Sequence, residues 1–391
     1  MSYYATNELI PFFGVYALLF SDRGLSAGAI SALFIIWSTT TFLFEVPSGA
    51  WADVVDRRLL LVLSSGIYAA GFASWIVWPT YLGFAFGFAC WGVSSALMSG
   101  TFEAFLYDEL VAQSAESSYA RLLGWANAAA MVATMVGIAA AGPLFAWGGY
   151  PLVGWASVAV ALVHGALALS LPSAPRTESA DEVAGAAESV GAPESATLAQ
   201  RYVAMLQAGL HEATRHVDVR HVVLIAAVLM GVSAYDEYFG LLAREQGAAT
   251  ADVPILMAVV TAGQVVGTAL AGRTESMSRR AMAAMVLVAG AAIAVGALIG
   301  HPVGIIGVTI GYGLAHNAIV VSEARLQAVI TGPARATVTS TMGFGAEVFA
   351  VGCYASFAIG SPWLSVGSLV AVLCLPLLGI AAAIRAWWPD D

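Results

Sequence analysis

Long apolar runs dominate this sequence and restrict what it can fold into. Twelve stretches of mostly apolar residues follow one another along the 391 residues, separated by short polar or Pro/Gly-containing breaks. A helix needs about 20 such residues to cross a bilayer. Only 10% of the residues are charged, whereas a soluble domain carries roughly 25%. The sequence therefore predicts an all-α polytopic membrane protein with twelve transmembrane helices.

The breaks also predict how the helices are grouped. The predicted spans are 3–20, 27–51, 59–78, 80–107, 121–147, 150–171, 221–243, 252–272, 281–299, 302–324, 337–360 and 363–388. A long linker divides them six plus six. We expect an N-terminal six-helix bundle over 1–171, a cytoplasmic linker over 172–220 and a C-terminal six-helix bundle over 221–391. Apolar residues recur at helical spacing in the second part of the linker, which predicts an amphipathic helix on the membrane surface.

The arginines predict the orientation. Thirteen of them lie in or beside one alternating set of linkers, and two lie in the other set. Positive charge favours the cytoplasmic side, so both termini are expected to be cytoplasmic. All fifteen basic residues are Arg, and Ala, Gly and Val abound, as is typical of a high-GC bacterial genome. We expect a multi-pass protein of the bacterial cytoplasmic (inner) membrane.

A repeat relates the two halves. The order acid, three residues, two arginines follows both the second and the eighth span, and an acid ends both the fourth and the tenth span. The matching features are Asp53-x-x-x-Arg57-Arg58 with Glu275-x-x-x-Arg279-Arg280, Asp108 with Glu323, and FFG at 12–14 with YFG at 238–240. Parallel repeats of this kind are a transporter architecture, with the substrate site between the halves near the membrane midplane.

The loop GAWADVVDRR between the second and third spans resembles the signature G-x-x-x-D-x-x-G-[RK]-[RK] of the major facilitator superfamily. Gly49, Asp53, Arg57 and Arg58 match it, while Asp56 replaces the second glycine. The resemblance implies a twelve-helix transporter fold and alternating access. The stretches EVPSG and FEAFLYDEL are similar to a bacterial efflux-type branch.

Two features depart from the proton antiporters of that family. Phe88 stands where those members carry an arginine in the fourth span, four residues before a glycine that is Gly92 here. The glycines of the fifth-span antiporter motif have loosened spacings. The resemblance therefore favours antiport without establishing it.

The resemblance also implies a gating latch on the cytoplasmic side. Asp53 is expected to pair with Arg57 or with the start of the eleventh helix, and Asp108 to accept a hydrogen bond from the same arginine. A weaker latch is expected in the second half. The predicted latch residues are Gly49, Asp53, Arg57, Arg58, Asp108, Glu275, Arg279, Arg280 and Glu323. Such contacts would form only when the cytoplasmic side is shut.

Ionisable groups inside the spans are functional hypotheses, because each costs about 2.5–3.5 kcal/mol on insertion scales. The candidates for proton coupling or substrate binding are Glu8, Glu45, Glu103, Asp236, Glu237, His316, Asn317 and Glu347. Glu45 is the first choice, because desolvation beside Pro47 disfavours its charged form. The alternative is a permanently protonated Glu45, bonded to Glu8, Glu103 or a carbonyl freed by Pro47.

Other mid-span groups are candidates for lining a cavity. They are Trp37, Thr40, Trp91 and Asn127. Aromatic packing between helices is the alternative for either tryptophan.

These observations predict a secondary active transporter that exports a small organic compound against proton entry. An uptake permease or uniporter of the same fold is the first alternative, and a non-transporting polytopic membrane protein is the second. The sequence contains no P-loop, HExxH, GxSxG or paired CxxC motif, so we expect no enzymatic activity, no cofactor and no metal site. The expected partners are a small-molecule substrate, protons and the lipid bilayer, without nucleic acid, and the chain is expected to be a monomer.

Overall fold

The computed structural model describes residues 2–172, 217–330 and 335–388, and it is helical throughout these ranges. Ten helical stretches in this part of the chain are long and apolar enough to cross a membrane. The predicted number of crossings is twelve. The two numbers differ because the first crossing is built from short helices and because the fifth and sixth form one helical stretch.

Residues 2–172 form seven helices. They are α1 (Ser2–Glu8), α2 (Tyr16–Asp22), α3 (Ala27–Val54), α4 (Arg57–Val77), α5 (Tyr81–Met98), α6 (Thr101–Ala112) and α7 (Tyr119–Leu169). A 3₁₀ turn, Pro11–Gly14, joins α1 to α2. The first crossing is therefore α1, this turn and α2, and the fourth crossing is α5 and α6.

Residues 217–330 and 335–388 form eight helices. They are α8 (Val217–Gly231), α9 (Phe239–Glu245), α10 (Val253–Thr274), α11 (Arg279–Leu298), α12 (Gly304–Val329), α13 (Arg335–Gly360), α14 (Val366–Leu373) and α15 (Leu375–Trp387). A 3₁₀ segment, Val232–Tyr238, joins α8 to α9. The seventh crossing thus repeats the interruption of the first, and the motifs FFG and YFG both lie at that interruption.

Contacts divide the described residues into two compact units. The first unit contains 2–25 and 33–172, and the second contains 26–32, 217–330 and 335–388. The first predicted bundle ends at 171 and α7 ends at Leu169, while α8 begins four residues before the predicted start of the second bundle. The amphipathic helix predicted in the linker lies outside the described residues.

The fifth and sixth crossings meet at two glycines. Gly148 and Gly149 leave helical geometry inside α7, and Gly149 has a φ of +62°. A left-handed backbone conformation is disfavoured for residues with a Cβ and open to glycine. The break predicted at 147–150 is therefore present, but as a turn without a loop.

In both units, an acidic residue at the end of the unit's first crossing contacts the start of the unit's sixth crossing. In the first unit, the Tyr150 hydroxyl donates a 2.6 Å hydrogen bond to Asp22. In the second, Glu245 accepts hydrogen bonds of 2.8 Å from the backbone N–H groups of Val366 and Gly367 at the start of α14. These contacts extend the repeat beyond the sequence motifs.

Many large apolar side chains lie on the outside of the units. Examples are Trp147 and Trp363, which are 80% and 77% exposed, and Ile359, which is 67% exposed. Apolar helix surfaces of this extent face lipid and not water in a membrane-spanning protein. The structure is that of a multi-pass membrane protein.

Candidate functional site

The fourth crossing is broken in its second half, and the break is set by one glycine. α5 ends at Met98 and α6 begins at Thr101. Between them, Gly100 has a φ of +70°, and no atom lies within 4 Å of the position where a Cβ would stand. Glycine is therefore required here by backbone conformation and not by lack of space. The break leaves a polar, non-helical stretch inside a crossing.

A cavity of about 240 Å³ lies beside this break, within the first unit. Residues from α1, α4, α5 and α6 and from the break itself surround it. The lining residues are Tyr4, Asn7, Glu8, Tyr68, Trp91, Ser94, Ser95, Met98, Ser99, Gly100, Phe102 and Glu103. Interrupted crossings line the binding sites of many transporters, because their free backbone groups face the cavity. This cavity is the candidate functional site.

Glu8 is one of two carboxylates at the cavity. It is half-buried and ends α1. The side-chain amide of Asn7 donates a 2.8 Å hydrogen bond to one of its oxygens, and the Thr134 hydroxyl donates a 3.5 Å bond to the other. These two donors stabilise the charged form of Glu8 and fix its orientation.

Glu103 is the second carboxylate. It lies in the first turn of α6 and its side chain is exposed. An acid at this position is stabilised by the helix dipole, whose positive end is the N-terminus. Tyr4 lies near both Glu8 and Glu103. The cavity therefore holds two acidic groups near one tyrosine.

One wall of the cavity is aromatic. The indole ring of Trp91 stacks on Phe13 at 5.1 Å. It lies 5.0 Å from the tilted ring of Trp37 and 6.0 Å from the ring of Tyr68. Phe88, which replaces the arginine of the antiporters, is fully buried and stacks on Trp91 at 5.8 Å. The fourth crossing thus offers rings where those proteins offer a cation.

A buried histidine holds the cavity's first helix in place. His164 of α7 is 1% exposed. Its Nδ1 lies 3.0 Å from the Tyr3 carbonyl oxygen and 3.1 Å from the Thr6 hydroxyl. Its ring stacks on Tyr3 at 4.1 Å. Because α1 carries Tyr4, Asn7 and Glu8, this contact fixes their position.

The other predicted cavity residues lie around the site or away from it. Trp37 supports Trp91, and Thr40 packs against Gly92 where the two helices approach closely. Asn127 is exposed on α7. Glu45 is exposed on α3 and is absent from the lining residues in the described part of the chain.

The loop motif positions its two arginines by capping. The Asp56 carboxylate accepts a 3.0 Å hydrogen bond from the backbone N–H of Leu59 and so caps α4. This role explains the acid that stands where the family signature has glycine, because aspartate is a preferred N-cap. Arg57 donates to Asp108, and Arg58 donates to the carbonyl oxygen of Leu169.

The Arg57–Asp108 pair ties α4 to α6. The two side chains are 13% and 7% exposed. Both belong to the first unit, so the pair forms without any contribution from the second. The side chain of Asp53, the remaining predicted latch residue of this loop, lies outside the described part of the structure.

The loop between the eighth and ninth crossings also places a capping residue before its two arginines. Ser278 caps α11 by accepting a 3.3 Å hydrogen bond from the backbone N–H of Ala281, one residue before Arg279 and Arg280. Both arginines and Glu275 are exposed, while Glu323 is half-buried on α12. Each arginine pair thus follows an N-cap residue in the two units.

The second unit holds its own acidic group at the interruption of the seventh crossing. Asp236 and Glu237 lie on the 3₁₀ segment Val232–Tyr238. The Tyr312 hydroxyl donates a 3.0 Å hydrogen bond to the Ser233 carbonyl and lies near Asp236. The rings of Tyr312 and His316 are 4.5 Å apart.

Glu347 and Asn317 are the remaining candidates of the second unit. Tyr354 lies close enough to Asp236, Glu237 and Glu347 to interact electrostatically with their carboxylates. Asn317 is buried, and its amide donates to the Gly267 carbonyl at 3.0 Å and accepts from the Thr274 hydroxyl at 2.8 Å. The amide of Asn317 therefore joins α12 to α10.

Several cavity residues are absent from the sequence candidates, among them Tyr4, Asn7 and Tyr68. Only the polar run SSALMSGTFE near the end of the fourth crossing signals the site, because Ser, Gly and Thr there interrupt an apolar stretch. Glu8 and Glu103, 95 positions apart in the numbering, are the two acidic candidates that the structure brings to one cavity.

These features define a class: a polytopic helical membrane protein with interrupted crossings around a polar cavity. The chain belongs to the Major Facilitator Superfamily, whose family description matches residues 1–358. It is therefore a membrane transporter with a small-molecule substrate. A search of curated proteins gives no match.

Solved structures of transporters share the fold. The nucleoside transporter NupG is 10% identical, with a TM-score of 0.70, and the match covers 100% of this chain and 97% of that one. A bacterial homologue of the human lysosomal transporter Spinster is 14% identical, with a TM-score of 0.67 and coverage of 98% and 91%. A bacterial homologue of the iron transporter ferroportin is 11% identical, with a TM-score of 0.68 and coverage of 98% and 94%.

Proposed function

We propose that this protein is a secondary transporter that works by alternating access and exports a small organic compound in exchange for protons. It functions as a monomer in the bacterial cytoplasmic membrane, with both termini in the cytoplasm, as the placement of the arginines favours. The family and the fold support transport. The direction and the coupling ion rest on the residues of the cavity and on the resemblance of two stretches to efflux proteins.

The observation that carries the proposal is the pair of carboxylates at a cavity beside two interrupted crossings. Glu8 is the last residue of α1, the first helix of the first crossing. Glu103 follows the break in the fourth crossing. Carboxylates at membrane depth are kept where they bind ions, protons or substrate, because their insertion is unfavourable. A cavity with this lining suits a transport site.

Proton exchange requires a carboxyl that takes a proton from one side of the membrane and releases it to the other. Such a group couples the two movements when it lies in the cavity that also binds the substrate. Glu8 fits this role, because Asn7 and Thr134 hold its oxygens in place while the cavity gives access to it. The buried Phe88 means that this exchange proceeds without the arginine of other antiporters.

We assign gating to the loop arginines. Arg57 and Arg58 tie the start of α4 to α6 and to the end of α7, so these three helices move as one body. Asp53, four residues before Arg57, pairs with Arg57 or with the start of the eleventh crossing when the cytoplasmic side closes. Glu275, Arg279, Arg280 and Glu323 form the weaker counterpart.

Transport in proteoliposomes tests the proposal. The purified protein is reconstituted with the pH dye pyranine inside, and cationic, neutral and anionic compounds are added in turn. We expect at least one compound to cause proton movement in the opposite direction. Its accumulation should follow a pH gradient of the sign that drives export.

The variant Glu8→Gln separates coupling from transport. It keeps the size and most hydrogen bonds of the side chain but cannot cycle a proton. We expect it to exchange substrate across the membrane and to lose accumulation driven by a pH gradient. Glu116→Gln, in the exposed turn after α6, is the matched control and should behave as the parent. Substrate movement without proton movement in the parent protein would indicate a uniporter instead.

A further inference from the structure

The cavity in the first unit also indicates which kind of substrate it takes. We infer that it binds a compact organic cation with an aromatic or similarly flat apolar body, and that Glu103 is the residue that pairs with the positive charge. This inference rests on the proposed function, because it names the substrate class of the same site.

The first argument is charge. Two of the twelve lining residues are acidic and none is basic. Arg57, a half-buried arginine of this unit, is already paired with Asp108. An anionic ligand would bring a third negative charge into a space without a compensating cation, which is strongly unfavourable at low dielectric. A cationic ligand neutralises the site.

The second argument is the difference between the two carboxylates. Glu8 receives hydrogen bonds from Asn7 and Thr134. Glu103 has no ion-pair or hydrogen-bond partner within the described ranges 2–172, 217–330 and 335–388. A ligand that covers Glu103 removes it from water, and the ligand must then supply its partner. An ammonium group does so directly.

The third argument is the aromatic lining. Tyr4, Tyr68, Trp91 and Phe102 all face the cavity. The Tyr4 and Phe102 rings are 4.8 Å apart, and Tyr4 lies near both carboxylates. A cation over the face of Trp or Tyr is attracted by the ring's quadrupole, and the attraction strengthens as the site loses water. Rings beside carboxylates recognise a substituted ammonium better than a bare metal ion.

The fourth argument is size. The cavity of about 240 Å³ holds the volume of about eight liquid waters, at ~30 Å³ for each. It is smaller than the roughly 300–1,000 Å³ of pockets for drug-sized ligands. A ligand with one ring and a short charged arm fits this space.

A series of probes with the same ring and different charge tests the inference. Phenyltrimethylammonium is cationic at every pH, 2-phenylethanol is neutral and phenylacetate is anionic. Thermal unfolding of the detergent-solubilised protein is followed with each probe, since a ligand that binds the folded state raises the melting temperature. We expect stabilisation in the order cation, then alcohol, then anion. No stabilisation by the cation, or equal stabilisation by phenylacetate, would overturn the inference.

Variants of Glu103 locate the charge. Glu103→Gln should weaken binding of phenyltrimethylammonium by about tenfold, which corresponds to ~1.4 kcal/mol. Glu103→Asp retains the charge and should restore most of the affinity, so that a general folding defect is distinguished from loss of the carboxylate. Glu116→Gln should bind as the parent. Unchanged affinity in Glu103→Gln would assign the charge contact elsewhere and contradict the proposal.

The two experiments distinguish an error in the proposed substrate class from an error in the proposed proton coupling. If a neutral or anionic compound drives proton movement, coupling stands and the cationic class is wrong. If phenyltrimethylammonium binds through Glu103 but moves no protons, the class stands and proton exchange is wrong.

Discussion

The fourth and tenth crossings occupy the same place in the two repeated units, yet they differ in backbone. The fourth is divided at Gly100 into α5 and α6, with a cavity beside the division. The tenth is one continuous helix, α12, of 26 residues. In it, Asn317 joins α12 to α10 through hydrogen bonds at both ends of its amide.

The difference shows how duplicated units acquire separate roles. One glycine with a left-handed backbone interrupts the crossing beside a polar cavity in the first unit, whereas the equivalent crossing of the second unit is continuous. The second unit keeps its interruption and its acids on the seventh crossing instead, at Asp236 and Glu237. We therefore assign substrate binding to the first unit and test that assignment by paired variants.

The largest expected effect separates the acids of the two units. Glu8→Gln should lose pH-gradient-driven accumulation completely, because its carboxyl exchanges the proton, while Glu237→Gln should retain it. Accumulation in proteoliposomes measures both variants. Loss of coupling in Glu237→Gln alone would move the proton site to the second unit.

The next effect concerns the arginines of the two loops. Arg57→Ala removes a charged hydrogen-bond donor from the mostly buried Asp108 carboxylate and should lower the free energy of unfolding by about 1.5–3 kcal/mol. Arg279→Ala, at an exposed position, should lower it by less than about 1 kcal/mol. Unfolding in mixed micelles titrated with SDS measures both. Similar losses would show that the arginines of the two loops contribute equally to stability.

The same variants bear on transport. Neutralising Arg57 and Arg58 together should reduce the transport rate more than neutralising Arg279 and Arg280 together. An equal or larger loss in the second pair would reverse the ranking of the two latches.

A smaller effect on stability is expected at Gly100, the glycine that breaks the fourth crossing. Gly100→Ala should destabilise the protein by about 1–2 kcal/mol, because a Cβ is unfavourable at positive φ. Gly66 offers the matched control: it lies in α4 with equally open surroundings but helical geometry. Gly66→Ala should be neutral or stabilising by up to about 1 kcal/mol. Equal signs for the two variants would contradict the backbone explanation.

The smallest effect concerns the capping residues at the two loops. Asp56→Ala and Ser278→Ala each remove one hydrogen bond to a helix N-terminus and should each cost about 1 kcal/mol. Comparable losses would support the view that the arginine pairs are positioned alike in both units. A clearly larger loss at Asp56 would add a gating role to its capping role.

Much of the fold was predictable because membrane crossings have a strong and simple signal. The length of apolar runs places the crossings, and the repeated acid and arginine spacing marks α4 and α11 as equivalent. The interruptions were not predictable in the same way. Hydropathy averages over about 19 residues, so a change of backbone at Gly100 alone leaves the average unaltered.

The site was predictable only in part. The scarcity of charge singled out Glu8, Glu45 and Glu103 together, but not the direction in which each points. Helices that are apolar on all sides have no hydrophobic stripe from which to read orientation. Glu8 and Glu103 line the cavity, while Glu45 is exposed on α3, and the role of Glu45 stays a prediction.

The turn at Gly148 and Gly149 bears on how the chain enters the membrane. It joins two crossings within one helical stretch, Tyr119–Leu169, and Gly149 supplies the reversal of direction. Each helix satisfies its own backbone polar groups inside the hydrocarbon layer, and no polar loop separates the two. They should therefore leave the translocation machinery as a single hairpin.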